Sequence, residues 1–90
     1  MSQVIDNTAR HRFELEENGH TAFADYQQRN GVLVIPHVEA PQALRGTGAA
    51  GRLMAGVVGI VRERGVKMMP TCSYAAAWMQ QHKEHGDLLA

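Results

Sequence analysis

Eight consecutive residues, Leu44-Arg45-Gly46-Thr47-Gly48-Ala49-Ala50-Gly51, carry the clearest chemical signal in this 90-residue chain. They follow the apolar run Gly31–Val38 after a short polar connection and lead into a helical pattern over Arg52–Arg64. A Gly-rich turn that opens a helix leaves several backbone N–H groups without an intrahelical acceptor. Those groups and the positive end of the helix dipole make a site for phosphate. Small residues let a ligand approach the backbone closely. The expected ligand is therefore phosphorylated. No Lys-Ser/Thr pair follows the glycines, so the turn is not a Walker A loop. Nor does it carry the three correctly spaced glycines of a dinucleotide fingerprint. On these residues alone, the competing reading is a flexible turn whose glycines serve packing.

The elements that must hold this turn are legible on both sides of it. Two Asn-Gly dipeptides, Asn18-Gly19 and Asn30-Gly31, lie between runs of strand-like residues, the strongest short hairpin signal. They predict three antiparallel strands, Arg10–Glu17, His20–Arg29 and Val32–Glu39. Two-residue loops fix the register: Glu17 faces His20, Leu15 faces Ala22, Phe13 faces Ala24 and Arg12 faces Asp25. In the second hairpin Arg29 faces Val32, Tyr26 faces Ile35 and Ala24 faces His37. One face then carries Phe13, Leu15, Ala22, Ala24, Tyr26, Leu33, Ile35, His37 and Glu39. The third strand is apolar on both faces, as a strand covered on both sides should be. Pro36 cannot donate to the ladder, so a bulge or an unpaired edge is expected there, with a shifted register beyond it.

After the turn, Leu53, Met54, Val57, Ile60, Val61 and Arg64 recur at helical spacing. Gly51, Gly56 and Gly59 weaken the helix but make it thin enough to lie close to a sheet. Arg64-Gly65 reads as its stop. Val66–Met69 reads as a fourth strand, parallel to the third after the crossover helix, and Ser73–His82 as a second helix. Residues 1–9 read as a frayed, flexible start and 10–90 as one domain. The tail Lys83–Ala90 reads as short and polar until Leu88-Leu89. His11 and His20 read as surface strand residues, Trp78 and Met79 as core, and Arg62, Glu63 and Arg64 as a solvated helix end.

Composition excludes several classes. Nine Lys and Arg are scattered among nine Asp and Glu, for a formal net charge of zero, which disfavours a nucleic-acid partner. No apolar run is long enough for a membrane span, and Met1–Arg10 has no apolar segment of a signal peptide. The single cysteine, Cys72, cannot form an internal disulfide, so a reducing cytoplasmic setting is expected. His82 and His85 are spaced to share a metal, but no third ligand or cysteine pair accompanies them, so no metal site is expected.

The pattern Arg45-x-x-Gly48-x-Ala50, set between a strand and a helix, fits the pyrophosphate-binding signature of the GNAT acyltransferases. The chain from Val34 onward resembles a family of very small GNAT-like N-acetyltransferases. The matching elements are His37-Val38-Glu39 on a strand, Leu44-Arg45-Gly46-Thr47-Gly48, Pro70-Thr71-Cys72, Tyr74, His82-Lys83-Glu84 and Asp87-Leu88-Leu89. The resemblance covers about the last two-thirds of the chain. Two departures concern its C-terminal part: the family often has His-Pro-Glu-Tyr where this chain has His82-Lys83-Glu84-His85, and a Pro commonly follows the Cys where Ser73 stands.

The resemblance implies an α/β (α+β) fold of minimal GNAT type: a three-stranded antiparallel meander, a crossover helix, a fourth strand roughly parallel to the third, and a C-terminal helix. It implies acetyl-CoA as cofactor and an amine acceptor. Backbone N–H groups around Arg45–Ala50, the segment Leu44, Arg45, Gly46, Thr47, Gly48, Ala49 and Ala50, would meet the pyrophosphate. Arg45 either adds its guanidinium or stays solvated. The pantetheine arm would lie along the third strand near Val38 and Glu39, leaving the thioester close to Pro36–Glu39 and Cys72.

Acetyl transfer needs an amine that loses its proton, a stabilised thioester oxygen and a protonated leaving thiolate. Glu39 or His37 is the candidate base, a third-strand N–H the oxyanion donor, and Tyr74 the acid toward sulfur. Cys72, at the predicted start of a helix where a thiolate is stabilised, either lines the CoA site, acts as a nucleophile, or is a small, buried, inert side chain. Direct attack by the amine is the expected route. The alternatives are a CoA-binding protein without transferase activity and a purely structural or interaction domain. With little surface to build an acceptor pocket, a protein or peptide amine is favoured, and a monomer or weak dimer is expected.

Overall fold

In a computed structural model, residues 3–90 are described; Met1 and Ser2, part of the stretch expected to be frayed, lie outside them. Five strands form one sheet in the order β1-β2-β3-β4-β5: β1 Ile5–Asn7, β2 Arg12–Glu17, β3 His20–Arg29, β4 Val32–Glu39 and β5 Lys67–Pro70. The first four are antiparallel and β5 runs parallel to β4. Helix α1, Ala49–Arg64, crosses between β4 and β5, and α2, Ser73–Gln81, follows β5.

The hairpins form as the Asn-Gly pairs dictate. Asn18, Gly19, Asn30 and Gly31 all have positive φ, between 53° and 78°, the combination that matches the right-handed strand twist. The β2–β3 register is the expected one, from Glu17 facing His20 to Arg12 facing Asp25. The β3–β4 register starts as expected at Arg29 facing Val32 and then slips between Asp25 and Gln27. Ile35 and Pro36 together oppose Tyr26, so His37 faces Asp25 and Val38 faces Ala24. This is the bulge expected at Pro36, which lacks the N–H a regular ladder needs.

The slip has a consequence for the site. Side chains alternate with period two, so one extra residue exchanges faces. His37 and Glu39, expected on the face of Phe13 and Ile35, instead stand on the outer face with Phe23 and Asp25. Val38 takes the inner side and packs against the core.

One core lies between the inner face and the two helices. Phe13, Leu33, Ile35 and Met68 from the sheet meet Leu53, Met54, Val57 and Val61 from α1, all buried. Ala75, Trp78 and Met79 of α2 and Leu88 extend it. Each large aliphatic or aromatic side chain so placed contributes about 1.5–3 kcal/mol. The outer face lacks such a cover: Val32 and Val34 are only half-buried and Met69 is exposed. The expectation that the third strand is covered on both sides is therefore corrected.

The ends of the chain are tied down more than their composition suggests. The frayed start is corrected over Ile5–Asn7, which pairs with β2. Asp6 accepts hydrogen bonds from Tyr26 Oη and Arg64 Nη2, each at 2.6 Å. His11 lies in the preceding turn with φ of 54°, not in a strand. At the other end, Lys83–Leu88 forms a 3-10 turn, Leu88 is buried, and the Ala90 N–H donates to Met68 O at 2.9 Å. Arg62 holds Asp87 through two hydrogen bonds of 2.8 and 3.1 Å. The expected solvated helix end is thus two anchors, Arg62 and Arg64. Helix α1 ends at Gly65, as expected, but begins three residues earlier, at Ala49.

Candidate functional site

The turn between β4 and α1 is built by small residues and one hydroxyl. Gly46 and Gly48 have φ of 79° and 86°, which side chains with a Cβ adopt only at a cost. Thr47 Oγ1 donates to Leu44 O at 2.6 Å and accepts from the Ala49 N–H at 3.3 Å. Leu44 is buried and pins the base of the turn. The Arg52 N–H is the first to close a helical bond, to Gly48 O at 3.0 Å. The N–H groups of Gly48, Ala50 and Gly51 have no acceptor in the turn or in the chain before it. They are the unpaired donors expected at a helix start.

Two shallow depressions meet beside this turn. The first, about 270 Å³, is lined by Ala40, Leu44, Arg45, the glycines and alanines of the turn, and Tyr74. The second, about 340 Å³, is lined by His37, Val38, Glu39, Ala40, Arg45, Ala50 and Tyr74. Ala40, Arg45, Ala50 and Tyr74 belong to both, so the two form one cleft from the turn to the end of β4. A larger depression of about 520 Å³ lies between β2 and α1, lined in part by Leu15, Glu17, Arg52 and Ala55.

Along this cleft β4 offers an open edge. Its pairing with β5 stops at Ile35 facing Pro70. There the Ile35 carbonyl accepts from both Thr71 N–H and Cys72 N–H at 3.1 Å, which turns the chain away. From His37 to Glu39, β4 is paired only with β3. A strand edge with unpaired backbone groups can accept an extended ligand as an added strand.

The expected site residues fall into two groups. His37, Val38, Glu39, Leu44, Arg45, Gly46, Gly48, Ala49, Ala50 and Tyr74 all line the cleft. Thr47 braces the turn. Cys72 stands apart: it is the N-cap residue of α2, half-buried and packed against the core, and does not line the cleft.

Local chemistry differs among them. His37 Nε2 and Glu39 Oε1 are 3.0 Å apart, with both side chains about half exposed. A carboxylate accepting from Nε2–H leaves Nδ1 as the basic nitrogen. Tyr74 is 40% exposed, yet burial of its ring raises the phenol above its ordinary value of 10, so its hydroxyl keeps its proton through the neutral range. An ideal Cβ on Gly51 would lie 3.9 Å from Tyr74 Oη and 3.7 Å from Trp78 Nε1. The phenol therefore hangs directly over the first turn of α1. Arg45 is exposed and donates Nε–H to Ala40 O at 3.3 Å.

Sequence reasoning missed Ala40 and the Glu17–Arg52 pair. Arg52 donates Nε–H and Nη2–H to the two Glu17 oxygens at 2.7 and 2.8 Å, 35 residues apart. Only an arginine in a first helical turn, opposed to the dipole, hinted at it. His82 Nδ1 meets Trp78 O at 2.8 Å, and the ring stacks on the Trp78 indole 3.8 Å away.

A meander, a crossover helix and a Gly-rich turn beside a freed strand edge define a GNAT-like α+β architecture. The chain belongs to the GCN5-related N-acetyl-transferase family, whose sequence profile matches residues 12–88. Its fold is similar to the NMR structure of a GCN5-like protein from Staphylococcus aureus, with 25% identity and a TM-score of 0.74, over 100% of this chain and 91% of that one. No curated protein shows a significant match. Among the described residues, no helix is long and apolar enough to cross a membrane.

Proposed function

We propose that this protein binds acetyl-CoA through the Gly46–Gly51 turn and transfers the acetyl group to an amine by direct attack. The observation that carries the reading is the single cleft joining the unpaired N–H groups of Gly48, Ala50 and Gly51 to the open edge of β4 at His37–Glu39. The donors at the turn suit pyrophosphate oxygens, strengthened by charge. The strand edge suits an extended amide-bearing arm, whose amides can replace the missing strand partner.

Bound acetyl-CoA supplies an activated thioester; the chain supplies position and proton handling. The β4 edge orients the acyl end next to the His37–Glu39 pair. His37, held by Glu39, takes the proton from the incoming ammonium, directly or through water. Tyr74, kept protonated by burial, donates toward the departing sulfur. The pair lies on an open, half-exposed surface, which admits an amine carried on a protein or peptide.

Calorimetric titration with acetyl-CoA, CoA and ATP, on the wild type and on Gly48→Glu, tests the cofactor half. Both CoA species bind the wild type, and a carboxylate placed at the turn abolishes binding. Absence of binding to the wild type overturns the proposal. Turnover with a panel of amines then separates a transferase from a CoA-binding protein.

A further inference from the structure

We infer that Asp25 holds a second positive charge on the amine acceptor, so that the preferred acceptor is dicationic: an amine with another cation close to the reacting nitrogen. The inference rests on the transferase reading above and names the class of acceptor for that site.

Asp25 is the direct partner of Arg12 across β2 and β3 and of His37 across β3 and β4. Directly opposed residues share a face of the sheet, with Cβ atoms about 4.5–5.5 Å apart. The carboxylate therefore stands on the outer face between two basic side chains, yet neither pairs with it. Arg12 donates Nε–H to Glu14 at 2.6 Å and lays its guanidinium over the Phe23 ring, 4.3 Å from the centroid. Asn7 donates to the same Glu14 oxygen at 3.1 Å and braces that arrangement. His37 is engaged with Glu39 at 3.0 Å. The half-buried side chain of Asp25 is left with no hydrogen bond or ion pair among the described residues. A partly buried carboxylate with no internal partner is stabilised by a cation from outside.

The surroundings admit such a cation. Asp25 lines an open depression of about 630 Å³ together with Arg10, His11, Gln27, Gln28 and Pro36. Arg10 is exposed on the turn before β2 and makes no ion pair with Asp25. Pro36 lines this depression, and the next residue, His37, lines the cleft beside the Gly-rich turn. The bulge at Pro36 is what sets His37 opposite Asp25, since a regular ladder would put Ala24 there and turn His37 to the core. An acceptor lying across this boundary presents one nitrogen to His37 and its second charge to Asp25. A small diamine offers that pair of charges, and so does a peptide lysine beside another basic residue.

Initial-rate acetylation assays on the wild type, Asp25→Asn and Asp25→Lys, with two matched pairs of acceptors, test the inference. One pair is 1,4-diaminobutane against butylamine, with rates counted per amine. The other is a Lys-Arg against a Lys-Gln peptide with blocked ends. The wild type prefers the dication in kcat/KM by roughly five- to tenfold, as for one charge-assisted contact at a half-buried carboxylate, and added salt weakens the preference. Preference within the first pair alone assigns the site to a small diamine, and within the second alone to a basic peptide. Preference within both assigns it to the dication whatever its carrier. Asp25→Asn keeps the shape of the side chain and abolishes the preference, and Asp25→Lys reverses it. A wild type that treats both members of each pair alike overturns the inference and leaves the transferase reading standing. So does a preference that survives in the folded variants, or a loss in Asp25→Asn that is equal for all four acceptors, which would make Asp25 only a support for His37. If the wild type acetylates none of the four, the transferase reading has failed and this inference falls with it.

Discussion

Replacing Gly48 and Gly46 separately with alanine divides backbone strain from ligand recognition. Both residues have left-handed φ, 86° and 79°. Their surroundings differ: a Cβ at 46 meets nothing within 4 Å, whereas one at 48 stands 3.0 Å from Arg52 Nη1. Holding an alanine in this region costs about 1–2 kcal/mol. Lower entropy of the unfolded chain returns about 0.4–1 kcal/mol of that. Each variant should therefore lose about 1 kcal/mol, or about 4–8 °C of Tm for a domain of this size. The contact at 48 adds little to that loss, because the end of an exposed arginine swings away freely. Its effect is on binding: Gly48 carries one of the unpaired N–H groups in the cleft, so a methyl group there crowds the ligand and the affinity for CoA falls further than that of Gly46→Ala. Thermal unfolding and calorimetry of the two proteins measure both quantities. Wild-type stability in both variants would refute the turn geometry. Equal CoA affinity in the two would refute the role given to the space above Gly48.

Three further outcomes follow from the site and the core. His37→Ala and Glu39→Gln each lower the acetylation rate, His37→Ala by about 10²–10⁴-fold as for loss of a general base; pH–rate profiles unchanged in both variants would remove the base assignment. Cys72→Ala retains turnover, since Cys72 lies against the core and outside the cleft; inactivity of a folded Cys72→Ala protein would point instead to an acetyl-cysteine intermediate. Tyr26 is pushed up to about 12 by burial and by its hydrogen bond to Asp6. A folded pKa above the unfolded value of 10 favours the protonated, folded form. That contribution is complete below pH 10 and is lost as pH rises toward 12. Tyr26→Phe should flatten this alkaline limb of a stability–pH curve, and an unchanged limb would refute the assignment.

The local signals in this chain were strong where chemistry and geometry are local. Asn18-Gly19 and Asn30-Gly31 fixed two hairpins, because positive φ at both turn positions leaves little choice of connection. Pro36 announced its bulge, because a missing N–H interrupts a ladder whatever surrounds it. What it did to His37 and Glu39 was less accessible: which face they occupy depends on which strand absorbs the extra residue. Ile5–Asn7 has too few residues to show a period, and it becomes a strand only because β2 supplies the partner. The polar tail is ordered by Arg62, Met68 and the core space filled by Leu88, contacts that no local pattern encodes.

The sequence by itself determined the kind of site: a Gly-rich turn opening a helix, with unpaired N–H groups fixed by backbone conformation and therefore by residue type. It also determined the order of strands and helices around that turn, since hairpin loops and a crossover helix admit few arrangements. Tertiary structure decided which side chains reach the turn. It parted β4 from β5 beyond Ile35, joined the turn to the His37–Glu39 edge, set Cys72 against the core and brought Glu17 onto Arg52. These are contacts between residues far apart in the chain, set by packing and register rather than by any local preference.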